Sequence, residues 1–314
     1  MTRMLHVKVA AIKQLTPLIR EFLLEPTAGK LPRFSAGSNI QVRLPTWGRV
    51  LRNAYSLVSD PDDNSHYRIA VRLQEASRGG SRHLHEQVRE GDSLEITAPS
   101  NLFALHSLAQ NHILIAGGIG ITPFMTYIEE LERRNAIFEL HYVYRTGLTD
   151  AYVDELRRRL GERFHTYDAK RGKPLVLGEV LEHRALGSHV YCCGPERLIA
   201  GVRQCATALG WHQSLVHVEA FAAPEPGQPF TAELVRSQRR IHVAADQSLL
   251  EALEQADIEI PNLCRGGVCG QCATRHLGGD IEHRDHYLSS DEQAQMLMPC
   301  VSRCGGRSAL LLDL

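Results

Sequence analysis

The sequence predicts a multidomain chain: an antiparallel β-barrel, then an α/β domain on a parallel sheet, then a small α+β module. Three observations carry this. The first hundred residues read as short strands broken by turn residues, and from residue 112 strands alternate with amphipathic helices. A proline-rich stretch, AAPEPGQP at 222–229, then precedes a cysteine-rich loop. At 314 residues the chain is long enough for two or three domains with separate cores, divided here as 1–104, 105–225 and 226–314.

Composition excludes several classes of function. Hydrophobic residues make up 43% and charged residues 23%, and 35 Lys+Arg against 36 Asp+Glu leave a formal charge of -1, which argues against nucleic acid as partner. The start, MTRMLHVKVAAIKQL, lacks the apolar core of a signal peptide, and no run reaches the roughly 18 apolar residues of a membrane helix. A cytoplasmic protein with no membrane attachment is expected. The eight cysteines are then reduced thiols rather than disulfides, several of them metal ligands. Residues 226–314 hold 12 acidic and 8 basic side chains, a separate acidic module.

The barrel strands are HVKVAAIKQL, IREFLLEP, SNIQVRLP, AYSLVS, YRIAVRLQ and SLEITAPS. Within them RNAYSL at 52–57 combines a cation, an aromatic ring and a hydroxyl, which suits a flat electron-poor ring with a phosphate tail. RGGSRHLHE at 78–86 sets two glycines and Ser81 before a short helix, a second phosphate candidate. Taken singly, each is more often an ordinary strand or turn.

The α/β segment opens with strand HILIAGG and helix PFMTYIEELERRNA, where Phe124, Ile128 and Leu131 share a face and Glu129/Arg133 and Glu130/Arg134 are expected i,i+4 pairs. Strand FELHYVYR, a helix through AYVDELRRRL closed by Gly161, strand HVYCCG and helix PERLIAGVRQCATAL closed by Gly210 follow. GGIGITP at 117–123 lies at a strand-to-helix junction, where glycines and free N–H groups suit a pyrophosphate, with Thr122 as N-cap and Pro123 at N1. It lacks the G-x-G-x-x-G spacing, so alone a plain tight turn explains it. CCGPE at 192–196 adds a second strand end at the same sheet edge, where ligands of open α/β sheets bind. Cys192 and Cys205 read as core thiols.

In the last segment FTAELVRS and RRIHVAA form a hairpin and SLLEALEQA a helix. Cys264, Cys269 and Cys272 stand as C-x4-C-x2-C, with 27 residues between the third and Cys300: the plant-type 2Fe-2S spacing. Gly266, Gly267 and Gly270 allow a tight turn that points amides at the sulfurs. The alternative, a zinc site of Cys269, Cys272, Cys300 and Cys304, leaves Cys264 and the glycines without purpose.

RNAYSL, GGSRHLHE, GGIGITP, YCCGPE and CRGGVCGQC, in this order, resemble the phthalate dioxygenase reductase family, three-domain reductases of Rieske oxygenases. The resemblance implies a flavin barrel, an NADH domain and a β-grasp plant-type ferredoxin domain. Tyr55 and Ser56 would face the isoalloxazine, Ala70, Val71 and Arg72 would line it, and Arg52, Gly80 and Ser81 would serve the FMN phosphate. Gly118, Gly120, Ile121 and Thr122 would receive the NADH pyrophosphate and ribose. Cys193 and Gly194 would sit beside the nicotinamide, Phe221 would cover the flavin, and Asp168 is a further ribose candidate. Cys193 and Ser56 are the residues expected at the hydride-transfer site, and Cys264, Cys269, Cys272 and Cys300 the cluster ligands.

The expected function is to pass electrons from NADH through FMN and a 2Fe-2S cluster to a terminal oxygenase, as a monomer. The alternatives are an FAD-dependent reductase of a diiron or cytochrome monooxygenase, and a ferredoxin-like carrier.

Overall fold

The computed structural model describes residues 4–46, 49–74, 78–172, 174–221, 225–305 and 309–314. Its contacts form two compact units, one of residues 2–46 and 52–221, the other mainly of residues 222–314.

The chain begins with six antiparallel strands: β1 (Met4–Thr16), β2 (Ile19–Pro26), β3 (Asn39–Thr46), β4 (Arg49–Ser56, in the first unit from residue 52), β5 (Tyr67–Arg72) and, after helix α1 (Gly80–Glu86), β6 (Ser93–Thr97). They lie in the order β4-β3-β6-β1-β2-β5, and a bridge from Leu57 to Ile69 brings the chain leaving β4 against β5. That bridge turns the sheet towards a barrel, which removes its open edges. RNAYSL therefore spans the end of a strand, because β4 starts five residues earlier than the alternation of AYSLVS suggests.

A five-stranded parallel sheet follows. It contains β7 (Asn111–Gly117), β8 (Ile137–Tyr144), β9 (Phe164–Asp168), β10 (Ser188–Cys193) and β11 (Val216–Glu219), ordered β11-β10-β7-β8-β9. Helices α2 (Thr122–Arg133) and α3 (Val153–Leu160) are interleaved with α4 (Leu177–Leu181) and α5 (Glu196–Ala208). Alternate residues of β7 feed two cores. Leu114 and Ala116 join Phe124, Ile128 and Leu131 of α2 on one face, and Ile113 and Ile115 join Val180, Ile199 and Val202 on the other. A sheet buried on both faces is what continuous apolar strands such as HILIAGG require. Ala36, Val58 and Phe103 from the barrel segment enter the first of these cores.

Two local expectations are corrected. A 3₁₀ turn at Gly118–Ile121 runs straight into α2, so Ile121 is the N-cap; Thr122 is already helical and its hydroxyl donates to the Ile119 carbonyl at 3.0 Å. Arg134 pairs with Glu130 at 2.5 Å as expected, but Glu129 is held by Arg159 at 2.5 Å, while Arg133 turns to Glu130 and Asp60. The Arg159 guanidinium from α3 binds both oxygens of the Glu129 carboxylate, while Arg133 is drawn away by Glu130 and Asp60. β9, α4 and β11 were not expected, being short and partly polar.

In the second unit, 225–229 has no regular structure, and 222–224 of the expected linker lie outside the described residues. β12 (Phe230–Leu234) and β13 (Arg239–Val243) form the expected hairpin. Helix α6 (Leu249–Gln255) starts with a capping box between Ser248 and Glu251. β14 (Thr274–Gly278), β15 (Ile281–Glu282), helix α7 (Ser290–Gln293), β16 (Met296–Leu297), β17 (Arg303–Cys304) and β18 (Leu310–Leu312) complete it. The sheet runs β13-β12-β18-β14-β16, with β18 parallel to β12, the β-grasp arrangement. Among the described residues no helix is long and apolar enough to cross a membrane.

Candidate functional site

In the parallel sheet, β8 and β9 lie on one side of β7 and β10 and β11 on the other. Strand order therefore reverses between β7 and β10, and the crevice at their C-terminal ends is where such sheets bind ligands. GGIGITP leaves β7 there and CCGPE leaves β10. The two loops touch: a Cβ on Gly120 would stand 2.2 Å from the Cys193 carbonyl oxygen, and one on Gly117 would stand 2.7 Å from Pro195 Cδ. Only a residue without a side chain permits this approach. Gly118, Gly120, Ile121, Thr122, Cys193 and Gly194 are thus brought together. Gly118 is half-buried with φ +55°, while Ile121 and Thr122 point inward and support the loop.

Cys193 has no exposed surface, and burial, reinforced by Glu219 and Cys192, pushes its thiol well above the ordinary range. Glu219 pairs with Cys193 across the β10–β11 ladder. Among the described residues its Oε2 is enclosed with no hydrogen-bond partner, and burial raises the carboxyl to about 8. Sequence reasoning missed this residue; a lone acidic position in the apolar string VHVEAF was the available signal. Two residues on, Phe221 is 43% exposed, as a ring that covers a ligand must be. Asp168 ends β9 and accepts from the Thr146 hydroxyl at 2.6 Å and from the Lys170 amide. The Thr146 hydrogen bond, then the Lys170 amide, hold the carboxyl below its usual range.

In the barrel, Asn53 and Tyr55 share one face of β4, and Asn53 Nδ2 donates to the Tyr55 hydroxyl at 3.3 Å. Burial pushes the Tyr55 phenol up to about 12. Arg52 is on the alternate face, in the field of Glu95. Asn53, which the sequence reading passed over, connects the two barrel motifs: a Cβ on Gly80 would stand 2.3 Å from its Nδ2. Ser81, at the start of α1, is buried and accepts from the Gln74 amide at 3.3 Å. Ala70 packs with Ile19 and Ala151, and the Val71 carbonyl engages His85 Nε2 at 2.9 Å, with Arg72 half-buried beside them. Ser56 is 4% exposed and its hydroxyl has no hydrogen-bond partner among the described residues. Such an orphaned hydroxyl, on the face of β4 opposite the Tyr55 ring, fits the polar edge of a flavin.

The cysteine loop fits a cluster on its donor set. Cys264 accepts hydrogen bonds from the Cys269 and Cys300 thiols and from the Gly266 and Val268 amides. Cys272 Sγ lies 3.4 Å from Cys300 Sγ. The thiol hydrogen bonds hold Cys264 far below its ordinary range and drive Cys300 far above it, which is how four crowded thiols share protons that iron would displace. Gly267 and Gly270 both have φ +75°, and a Cβ on Gly270 would enter the Tyr287 ring at 2.3 Å. Gly266 has neither constraint. Cys304 is buried in the core of this unit.

Comparison with known proteins agrees with this geometry. Residues 233–305 match the 2Fe-2S iron-sulfur cluster binding domain family, and residues 99–216 match the N-terminal domain of dimethylamine monooxygenase subunit DmmA-like proteins. The chain is 59% identical over 315 residues to the heme-dependent oxidative N-demethylase beta subunit of Ectopseudomonas mendocina (strain ymp), covering 100% of both chains. It is 35% identical over 319 residues to the phthalate dioxygenase reductase of Burkholderia cepacia, covering 99% of this chain and 97% of that one. A solved phthalate dioxygenase reductase, described as a modular structure for electron transfer from pyridine nucleotides to [2Fe-2S], superposes with TM-score 0.86 at 34% identity, over 99% of this chain and 98% of the other. On likeness that spans all three sites, the chain belongs to the phthalate dioxygenase reductase family, reductase subunits of oxygenase systems that carry electrons through a flavin and a 2Fe-2S cluster.

Proposed function

We propose that this chain takes electrons from NADH and delivers them, through FMN in the barrel and the cluster of Cys264, Cys269, Cys272 and Cys300, to a haem-dependent terminal subunit that removes N-methyl groups from amines. The observation that carries the reading is the full-length 59% identity to a haem-dependent N-demethylase beta subunit, joined by the dimethylamine monooxygenase likeness of residues 99–216. A Rieske-type terminal oxygenase is the second reading, favoured by the phthalate dioxygenase reductase likeness. The functional division is 1–104 for FMN, 105–225 for NADH and 226–314 for the cluster, in a cytoplasmic monomer.

Bound flavin supplies the conversion between a two-electron hydride donor and a one-electron acceptor. The chain's own residues do the rest. The 3₁₀ turn after β7 offers the amides of Gly118 and Gly120 to a pyrophosphate, and the Gly120–Cys193 approach fixes the distance between the two strand ends. Cys193, kept as a neutral thiol by burial in the core under α2, would support the strand end beneath the nicotinamide with its backbone, adding no charge there. The Ser56 hydroxyl satisfies the flavin's polar edge, and Tyr55 with Phe221 supplies aromatic surface. Four cysteines hold iron, with the Gly266 and Val268 amides stabilising sulfur charge. Thr146 and Asp168, close together at the ends of β8 and β9, favour NADH, since a carboxylate there repels a 2′-phosphate.

The test is anaerobic mixing of NADH, this reductase and purified terminal components. A haem subunit that turns ferrous, read by its carbon monoxide spectrum, with formaldehyde release from a methylamine in air, is the expected outcome. Bleaching of a Rieske centre with no haem reduction would replace the first reading by the second.

A further inference from the structure

On β8, Glu139 and His141 stand two residues apart and so project from one face of the sheet. It is the face opposite Leu140 and Tyr142, which enter the core under α2. The parallel register of β8 with β9 sets His141 against His165, and their rings stack with centroids 4.7 Å apart and 19° between planes. The donor atoms of Glu139, His141 and His165 all lie within 4.8 Å of one another. His141 Nε2 is 2.9 Å from Glu139 Oε1, and its Nδ1 is 2.9 Å from the Tyr167 hydroxyl. None of these side chains belongs to the crevice between β7 and β10.

We propose that Glu139, His141 and His165 form a binding site for a divalent late transition-metal ion of the zinc class. Two imidazoles and one carboxylate are the donor set of zinc, nickel or copper(II), whereas calcium and magnesium select oxygen alone. A tetrahedral ion with ligands at about 2.0–2.2 Å needs donors roughly 3.3 Å apart. Glu139 and His165 are half-buried and can close that distance by side-chain rotation, while His141, 4% exposed, is the fixed member. Tyr167 is the outer partner that orients it: with Nδ1–H donating to the phenol oxygen, Nε2 presents its lone pair towards Glu139. Binding requires Nε2 unprotonated, so any proton on it leaves to solvent as the ion takes its place.

Arg184 is the built-in competitor, meeting Glu139 Oε1 at 2.5 Å. His141 and Arg184 both engage Oε1, so Oε2 is the atom that turns to the metal while Arg184 keeps its contact. Arg184 thus fixes the Glu139 carboxylate beside His141 while leaving its second oxygen for the metal. Tyr167 stays protonated, its phenol raised by burial and then by Glu139 and Glu179. A metal here would clip the edge strand β9 to β8, three residues before Asp168 and its bond to Thr146.

The experiment uses the intact protein with flavin and cluster loaded, so that the cluster thiols are occupied. Zinc chloride is titrated calorimetrically, and metal content is measured after dialysis. One zinc per chain beyond the cluster iron is expected, with at least tenfold weaker binding in His165→Ala and in Glu139→Gln, and unchanged flavin and cluster spectra. A zinc-dependent rise in the thermal midpoint should occur in the parent and vanish in His165→Ala. The other imidazole group of this unit, His189 Nδ1 2.9 Å from His217 Nε2 with His106 stacked at 4.7 Å, is the control. His217→Ala should keep the zinc. No uptake at about 100 μM free zinc, uptake that survives His165→Ala, or uptake lost in His217→Ala would each overturn the proposal.

Discussion

Glu219 closes β11 with one carboxylate oxygen enclosed and unmatched, opposite Cys193. Its carboxyl, raised from 4.5 to about 8, makes the folded chain hold a proton that the unfolded chain has already released. Between those two pH values folding takes up a proton, so the stability from this residue is present below about pH 4.5 and declines as pH rises towards 8. Glu219→Gln should remove that decline, so that above pH 8 the variant is more stable than the parent by on the order of a few kcal/mol. Denaturant midpoints for the two proteins from pH 5 to pH 9 check this, and parallel curves would remove Glu219 from the account. At this scale the cysteines were legible because their spacing is itself the chemistry. Glu219 and Asn53 were not, since an isolated polar residue on a strand gains meaning only from what lies across the ladder.

The strand-end loops are the elements on which the proposed nucleotide site depends. Gly120→Ala would press a methyl group into the Cys193 carbonyl, where the ideal Cβ stands 2.2 Å away, and the only relief is to part the two loops. NADH should then bind at least tenfold more weakly while flavin content is retained, as read by nucleotide titration and by the flavin spectrum. Tight NADH binding in this variant would mean that the crevice does not need the close approach. The hydrophobic periods of β7, α2, β8 and α5 made those elements readable, because a strand buried on both faces is apolar throughout and a helix buried on one is apolar every third or fourth residue. β9 and β11 lie at the two edges of the sheet, where polar residues are tolerated, and their FHTYD and VHVE strings carry no such period. The N-terminus of α2 misled for another reason: Thr122 and Pro123 look like a start, but the preceding 3₁₀ turn had already begun the helix.

For the whole molecule, the two compact units predict separable electron-transfer steps. Cys300→Ala removes one of the four proposed ligand thiols, the one hydrogen-bonded to both Cys264 and Cys272, and should abolish the cluster's visible spectrum, because ligand binding and loop folding are coupled. NADH should still bleach the flavin at close to the parent rate, since the crevice and the barrel lie in the other unit. Cys304→Ala should keep the cluster and lower only stability, as loss of a buried thiol does. Stopped-flow reduction and cluster spectra decide both, and loss of the cluster in Cys304→Ala would move the fourth ligand. The sequence by itself determined the kinds of domain, their order and the cysteine spacing proposed to hold the cluster, because periodicity, glycine placement and ligand spacing are local properties of the chain. Only the tertiary structure decided that GGIG meets CCGPE at a reversal of strand order, that Asn53 rather than Arg52 shares a face with Tyr55, and that His141 and His165 lie side by side. Those are register and pairing facts between segments far apart in the chain, set by how whole sheets pack and invisible to any window along the sequence.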